Sequence, residues 1–111
     1  MALERRLHPR KAWRQPVVFE NEFGEGMVYL YSRDISMGGI FLEESPPFRL
    51  GTRLFVSFAL PGSELPMRLT GQVVRMIEHD KERQTQDAGI RFLELSQSAL
   101  QQLSHFLQTA S

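Results

Sequence analysis

At 111 residues the chain has room for one domain with a single core, not two. Hydrophobic and charged fractions of 41% and 23% exclude a disordered chain, and the lack of cysteine excludes disulfides, thiolate catalysis and cysteine-based zinc sites. The net charge of zero argues against a general nucleic-acid binder, but it sums unlike parts: residues 1–14 hold five basic side chains (Arg5, Arg6, Arg10, Lys11, Arg14) against Glu4, a local +4, and the remaining eight basic and twelve acidic residues carry −4.

Residues 1–14 read as a basic arm with no helical or strand period, since Pro9 and Pro16 limit helix. Arg6-Leu7-His8-Pro9-Arg10 sets two guanidinium groups four residues apart, a spacing that suits a multidentate anion such as a phosphate diester. A solvated basic tail is the plainer reading of these arginines alone. Trp13 has two readings, a platform for a nucleobase or an anchor that fixes the arm to the core, and at the join of arm and domain the anchor is preferred. The sequence has no apolar run of signal-peptide or transmembrane length, so the expectation is a cytoplasmic protein with no membrane insertion.

Gln15–Phe23 predicts a strand through Val17, Val18, Phe19 and Phe23, and Gly24-Glu25-Gly26 predicts a hairpin turn into a second strand, Met27–Tyr31. That strand delivers Asp34-Ile35-Ser36-Met37-Gly38-Gly39, which joins a carboxylate and a hydroxyl on alternate positions to two glycines. Residues two apart on a strand share a side, so Asp34 and Ser36 face one way together, and Gly38 and Gly39 allow unusual backbone angles and close approach of a ligand to the main chain. The plainer reading is a tight turn in which Asp34 and Ser36 bond to nearby backbone N–H groups. A third strand, Gly39–Glu43, is stopped by Ser45-Pro46-Pro47. Glu43 and Glu44 are adjacent, so they face opposite sides, share no substrate and are expected to be solvated.

Thr52–Leu60 alternates Leu54, Val56, Phe58 and Leu60 with Arg53, Phe55, Ser57 and Ala59, the pattern of a strand buried on one face. Pro66–Glu78 predicts a fifth strand, with Gly71 marking a bulge or bend. His79–Asp87 is polar and reads as an exposed loop, and its histidine has no metal-ligand spacing to His8 or His105. Ala88–Leu95 predicts a sixth strand, and Ser96 caps a helix that carries Ala99, Leu100, Leu103, Phe106 and Leu107 on one stripe. The commoner use of such a helix is to close a barrel end, with a partner-binding face as the minority reading. Six short strands and a terminal helix predict a small antiparallel barrel or sandwich.

The sequence is similar to the bacterial PilZ domain family, whose members are receptors for cyclic di-GMP. RxxxR at Arg6 and Arg10 followed by [D/N]xSxxG at Asp34, Ser36 and Gly39 carries the resemblance. The Arg5-Arg6 doublet, Leu69–Val74 and Ala88-Gly89-Ile90-Arg91-Phe92 extend it over nearly the whole chain. The resemblance implies an all-β fold with a C-terminal helix, a six-stranded antiparallel PilZ-like barrel, divided into a ligand-binding arm (1–14), the barrel (15–95) and the helix (96–111). It implies cyclic di-GMP as ligand, no cofactor, no metal and no catalytic residues, with Arg6, Arg10, Asp34, Ser36 and Gly39 as ligand residues and Arg5, Arg14, Gly38 and Arg75 in support. An arginine directly before RxxxR, here Arg5, implies two ligand molecules per chain. The implied output is a ligand-driven change in the arm that signals to a protein partner in motility, pilus, exopolysaccharide or chemotaxis-type machinery. The alternative is an adaptor of the same fold that binds no nucleotide; a nucleic-acid-binding barrel is disfavoured by the neutral charge.

Overall fold

Alternating apolar residues build the wall of a barrel. The computed structural model describes residues 10–26, 28–63, 65–80 and 85–108. In chain order the elements are β1 (Lys11–Ala12), β2 (Pro16–Asn21), β3 (Val28–Ile35), β4 (Gly39–Ser45), β5 (Arg53–Phe58), β6 (Met67–Asp80), β7 (Thr85–Leu93) and α1 (Gln97–Gln108). Every pairing is antiparallel, and the order β3-β2-β5-β6-β7-β4 returns to β3, so six strands close into a barrel. Closure satisfies the backbone groups that an edge strand would leave open. The two-residue β1 pairs with β3 beyond the end of β2.

The core follows the period-two expectation where the strands are regular. Leu54, Val56 and Phe58 of β5 point inward with Val17 and Phe19 of β2, Ile40 and Leu42 of β4 and Ile90 and Phe92 of β7. Each such side chain contributes about 1.5–3 kcal/mol on burial. Gly24 and Gly26, both at positive φ (79° and 71°), make the β2–β3 turn that the sequence predicts.

Ser96 caps α1: its Oγ accepts the Ala99 N–H at 3.1 Å and its carbonyl accepts the Leu100 N–H at 2.9 Å. Ala99 and Leu103 enter the core and Phe106 and Leu107 pack against it, whereas Leu100, expected on the same stripe, faces outward. Trp13 is an anchor: it is buried, with its ring edge-on to Phe58 at 5.5 Å and to Phe106 of α1 at 5.6 Å. Next to it, the Lys11 ammonium lies 4.8 Å over the Phe106 ring. The chain between β1 and β2 is pinned by Ser32, fully buried, whose hydroxyl donates to the Trp13 carbonyl while its Oγ accepts the Gln15 N–H at 3.1 Å.

Three departures from the sequence expectation matter for the outer surface. First, β3 carries an extra residue: Ser32 pairs with Leu42 and Asp34 with Phe41, leaving Arg33 bulged. Ser32 and Ile35 are thereby both buried, and the intervening Arg33 and Asp34 are both placed outside the core. Secondly, β6 is bulged at Val74 and again between Glu78 and Asp80, not at Gly71, because Val73 pairs with Ile90 and Arg75 with Gly89, then Glu78 with Gln86 and Asp80 with Thr85. Gly71 is a close-approach position instead, since a Cβ there would lie 2.4 Å from Ile90 Cγ2. Thirdly, the expected loop 79–87 is shorter, as β6 runs to Asp80 and β7 starts at Thr85, and Asp87 is buried within β7. One expected solvated carboxylate is partnered: Glu43 Oε1 accepts from Arg14 Nε at 3.3 Å.

Candidate functional site

The bulges at Arg33 and Val74 face each other across β4 and β7. The strand registers Asp34↔Phe41, Phe41↔Gly89 and Gly89↔Arg75 form one row across β3, β4, β7 and β6. At a strand spacing of about 4.8 Å, this row spans roughly 14 Å. It is the floor of an open groove of about 550 Å³, which Arg10, Arg33, Ser36, Gly39, Val74, Ile77 and Arg91 also line. Phe41 is buried but stands apart from the interior core cluster, as expected of an outward ring covered by other outer side chains. Gly89 is a close-approach point in the row: a Cβ there would sit 3.1 Å from Arg75 Cβ and 3.6 Å from the Phe41 ring.

Arg10 enters this groove from β1's end. Its Nε approaches Asp34 Oδ1 at 2.8 Å, and its Nη1 donates to Ser36 Oγ at 3.3 Å. The Nε contact is out of line for a hydrogen bond, so Asp34 Oδ1 is buried with a cation beside it but no aligned donor. Such an oxygen retains the capacity to accept N–H groups from a ligand.

Ser36 Oγ also accepts the N–H groups of Gly38 (3.1 Å) and Gly39 (3.2 Å), while Ser36 N–H donates to the Gly39 carbonyl at 2.9 Å. The acceptor side of this hydroxyl is therefore filled by the turn and by Arg10, and its O–H is what it has left to offer. The tight-turn reading thus describes Ser36, while Asp34 is turned to Arg10. Neither Gly38 nor Gly39 has positive φ. Gly39 is required for another reason: a Cβ there would fall 2.1 Å from the Ile90 carbonyl oxygen.

Of the residues singled out in the sequence, the groove brings together Arg10, Asp34, Ser36, Gly38, Gly39 and Arg75. Arg14 is elsewhere, paired with Glu43 and lying 4.1 Å over the Tyr31 ring. Arg5 and Arg6 lie outside the described residues. Sequence reasoning missed Arg33 and Arg91. Arg91 faces the same side as its register partner Gly39, and its Nη2 donates to Gln72 Oε1 at 3.2 Å. The signal for Arg91 was its outward phase next to Ile90 and Phe92; Arg33 had no such signal, because the bulge sets its direction. Among the described residues no group of three histidine, aspartate or glutamate side chains gathers as a metal site, and no helix is long and apolar enough to cross a membrane.

Arg10, Arg33, Arg75 and Arg91 stand around an open groove of a small barrel that Phe41, Val74 and Ile77 also line, a set of groups whose chemistry suits an anionic ligand. The sequence profile of the PilZ domain matches residues 4–109, and the chain belongs to the PilZ domain family. No curated protein matches the sequence closely. Among solved structures, the inhibitor of motility MotI/DgrA from Bacillus subtilis is similar with a TM-score of 0.75 and 21% identity, over 96% of this chain and 51% of that one. The PilZ domain of YcgR from Escherichia coli with c-di-GMP gives 0.71 and 18%, over 96% and 92%. The MrkH–c-di-GMP complex from K. pneumonia gives 0.73 and 13%, over 96% and 52%. The chain thus spans about half the length of MotI and MrkH. At these identities the likeness is one of fold.

Proposed function

We propose that this domain is a cytoplasmic cyclic di-GMP receptor that acts by binding, not turnover. The observation that carries the reading is the cluster of Arg10, Asp34 and Ser36 at one end of an arginine-lined groove, in a PilZ domain. Similar folds solved with c-di-GMP, the PilZ domain of YcgR and MrkH, support it. Arg6 and Arg10 fork onto phosphate oxygens or onto the guanine O6/N7 edge. Asp34 accepts from guanine N1–H and N2–H, for which its buried Oδ1 has unused capacity. Ser36 and Gly39 shape the turn that presents these groups, Gly38 lies within that turn, and Arg75 closes the far end of the row. Arg5 and Arg14 are supporting cations, and Arg5 goes with two ligand molecules per chain.

For Asp34 to face a base, Arg10 has to exchange its carboxylate for the ligand. That exchange re-seats the arm and alters the surface offered to a protein partner. Motility, pilus, exopolysaccharide and chemotaxis-type machinery are the candidate outputs, and the similar fold of MotI, an inhibitor of motility, favours the first of them.

Isothermal titration of the full chain with cyclic di-GMP tests the reading, beside folded Arg10→Ala and Asp34→Ala variants. Saturable binding by the parent, strongly weakened in both variants, is expected. A stoichiometry near one per chain would remove the paired-ligand proposal alone. No binding by the parent would leave the adaptor reading.

A further inference from the structure

Arg33 has no place in the motifs that mark this family, yet it is held in the groove by both a ring and a carboxylate. The bulge in β3 places it in the groove instead of the core. Its guanidinium carbon lies 4.3 Å from the centre of the Phe41 ring, so one face of the cation is backed by an aromatic ring in the groove floor. Its Nη2 donates to Asp87 Oδ2 at 3.3 Å, and Asp87 is itself buried and fixed, with Oδ1 accepting the Glu44 N–H at 3.1 Å. The arginine side chain nevertheless keeps 49% of its surface exposed. Ring, carboxylate and bulge together hold a cation in the groove with about half of its side chain open to solvent, near the bare backbone of Gly89.

We infer that Arg33 is a base-stacking residue of this groove, offering the open face of its guanidinium to a purine of the bound nucleotide. This rests on the proposed reading that the groove takes cyclic di-GMP. A guanidinium plane is a stacking surface for nucleobases, and a cation backed by Phe41 is already ordered before the ligand arrives. Gly89 puts no side chain on the groove floor between Phe41 and the stem of Arg75, where a Cβ would already crowd Arg75 Cβ at 3.1 Å. The Arg33–Asp87 pair sets the orientation of the plane and leaves the remaining N–H groups for ligand oxygens or ring nitrogens.

The test separates the flat surface from the charge. Cyclic di-GMP is titrated into the full-length parent, Arg33→Lys and Arg33→Ala, with the unfolding midpoint of each variant measured alongside. Stacking on an arginine plane makes both variants about tenfold weaker, since lysine keeps the charge and loses the plane. Because Arg33 is half exposed, both variants are expected to unfold within a few degrees of the parent. Parent-like affinity in Arg33→Lys would overturn the stacking role, and parent-like affinity in Arg33→Ala would overturn any contact. A parent that binds no cyclic di-GMP would overturn the receptor reading itself and this assignment with it.

Discussion

Replacing Gly39 with alanine tests whether the last residue of [D/N]xSxxG serves the barrel or the ligand. An ideal Cβ at Gly39 lies 2.1 Å from the Ile90 carbonyl oxygen and 3.1 Å from its carbon, atoms of the β7 backbone that cannot swing aside. Relief needs a shift of about 1 Å between β4 and β7, an overpacking cost of about 1–3 kcal/mol. The same shift disturbs two hydrogen bonds of 2.9 Å, Phe92 N–H to the Gly38 carbonyl and Ser36 N–H to the Gly39 carbonyl. Each contributes about 0.5–1.5 kcal/mol net, so the total loss is about 2–6 kcal/mol. For a domain of this size that lowers the unfolding midpoint by more than about 10 °C. The assay is thermal and urea unfolding of the ligand-free protein, with Gly26→Ala as comparison. Gly26 has positive φ but open space around it, so alanine there costs only the conformational term of about 1–2 kcal/mol. A Gly39→Ala protein within about 1 kcal/mol of the parent would refute the close-approach argument and return Gly39 to a ligand-contact role.

Ser32→Ala removes the hydroxyl that joins β3 to Trp13 and Gln15 and is expected to cost about 1–3 kcal/mol, with faster amide exchange at Gln15 than elsewhere in the sheet. Trp13 is the sole tryptophan, so its emission is expected to shift to the red in the same cooperative transition as the loss of sheet signal; an earlier shift would show the arm detaching first. Trp13→Ala is expected to destabilise by about 3–5 kcal/mol in urea unfolding. A double-mutant cycle on Arg10 and Asp34 in the ligand-free protein is expected to return a coupling of about 1 kcal/mol that falls with added salt; no coupling would mean that the pair leaves the arm unlatched.

Much of the barrel was legible because its regular strands obey the period of two: Leu54, Val56 and Phe58 alternate with polar or half-buried neighbours, and burial follows. Ser96 and Trp13 were legible for local chemical reasons, a cap before an apolar stripe and a bulky ring at the arm's join. The bulges were not. At β6 the one trace of the extra residue is Arg75, which falls in the inward phase of Leu69, Gly71 and Val73 but faces out beyond the bulge. At β3, Ser32 is polar yet fully buried, which hides the inward phase that would have shown Arg33 as the inserted residue. Asp87 misled in the same way, because a carboxylate in a polar run reads as loop until Arg33 and the Glu44 N–H are seen to need it. The groove motifs were legible as residues, but their row across four strands is a product of register, which no local pattern encodes.

Arg10 and Lys11 are consecutive, yet one rests on Asp34 in the groove and the other over Phe106 on the last turn of α1. A single peptide unit therefore has a cation at each end, one on the binding side and one on the helix side. Two-residue β1 is held between these two contacts by its pairing to Ile35 and Asp34 of β3. The smallest element of the fold thus carries one cation of the groove and one cation of the helix face, and a single strand pairing serves both sides of the domain.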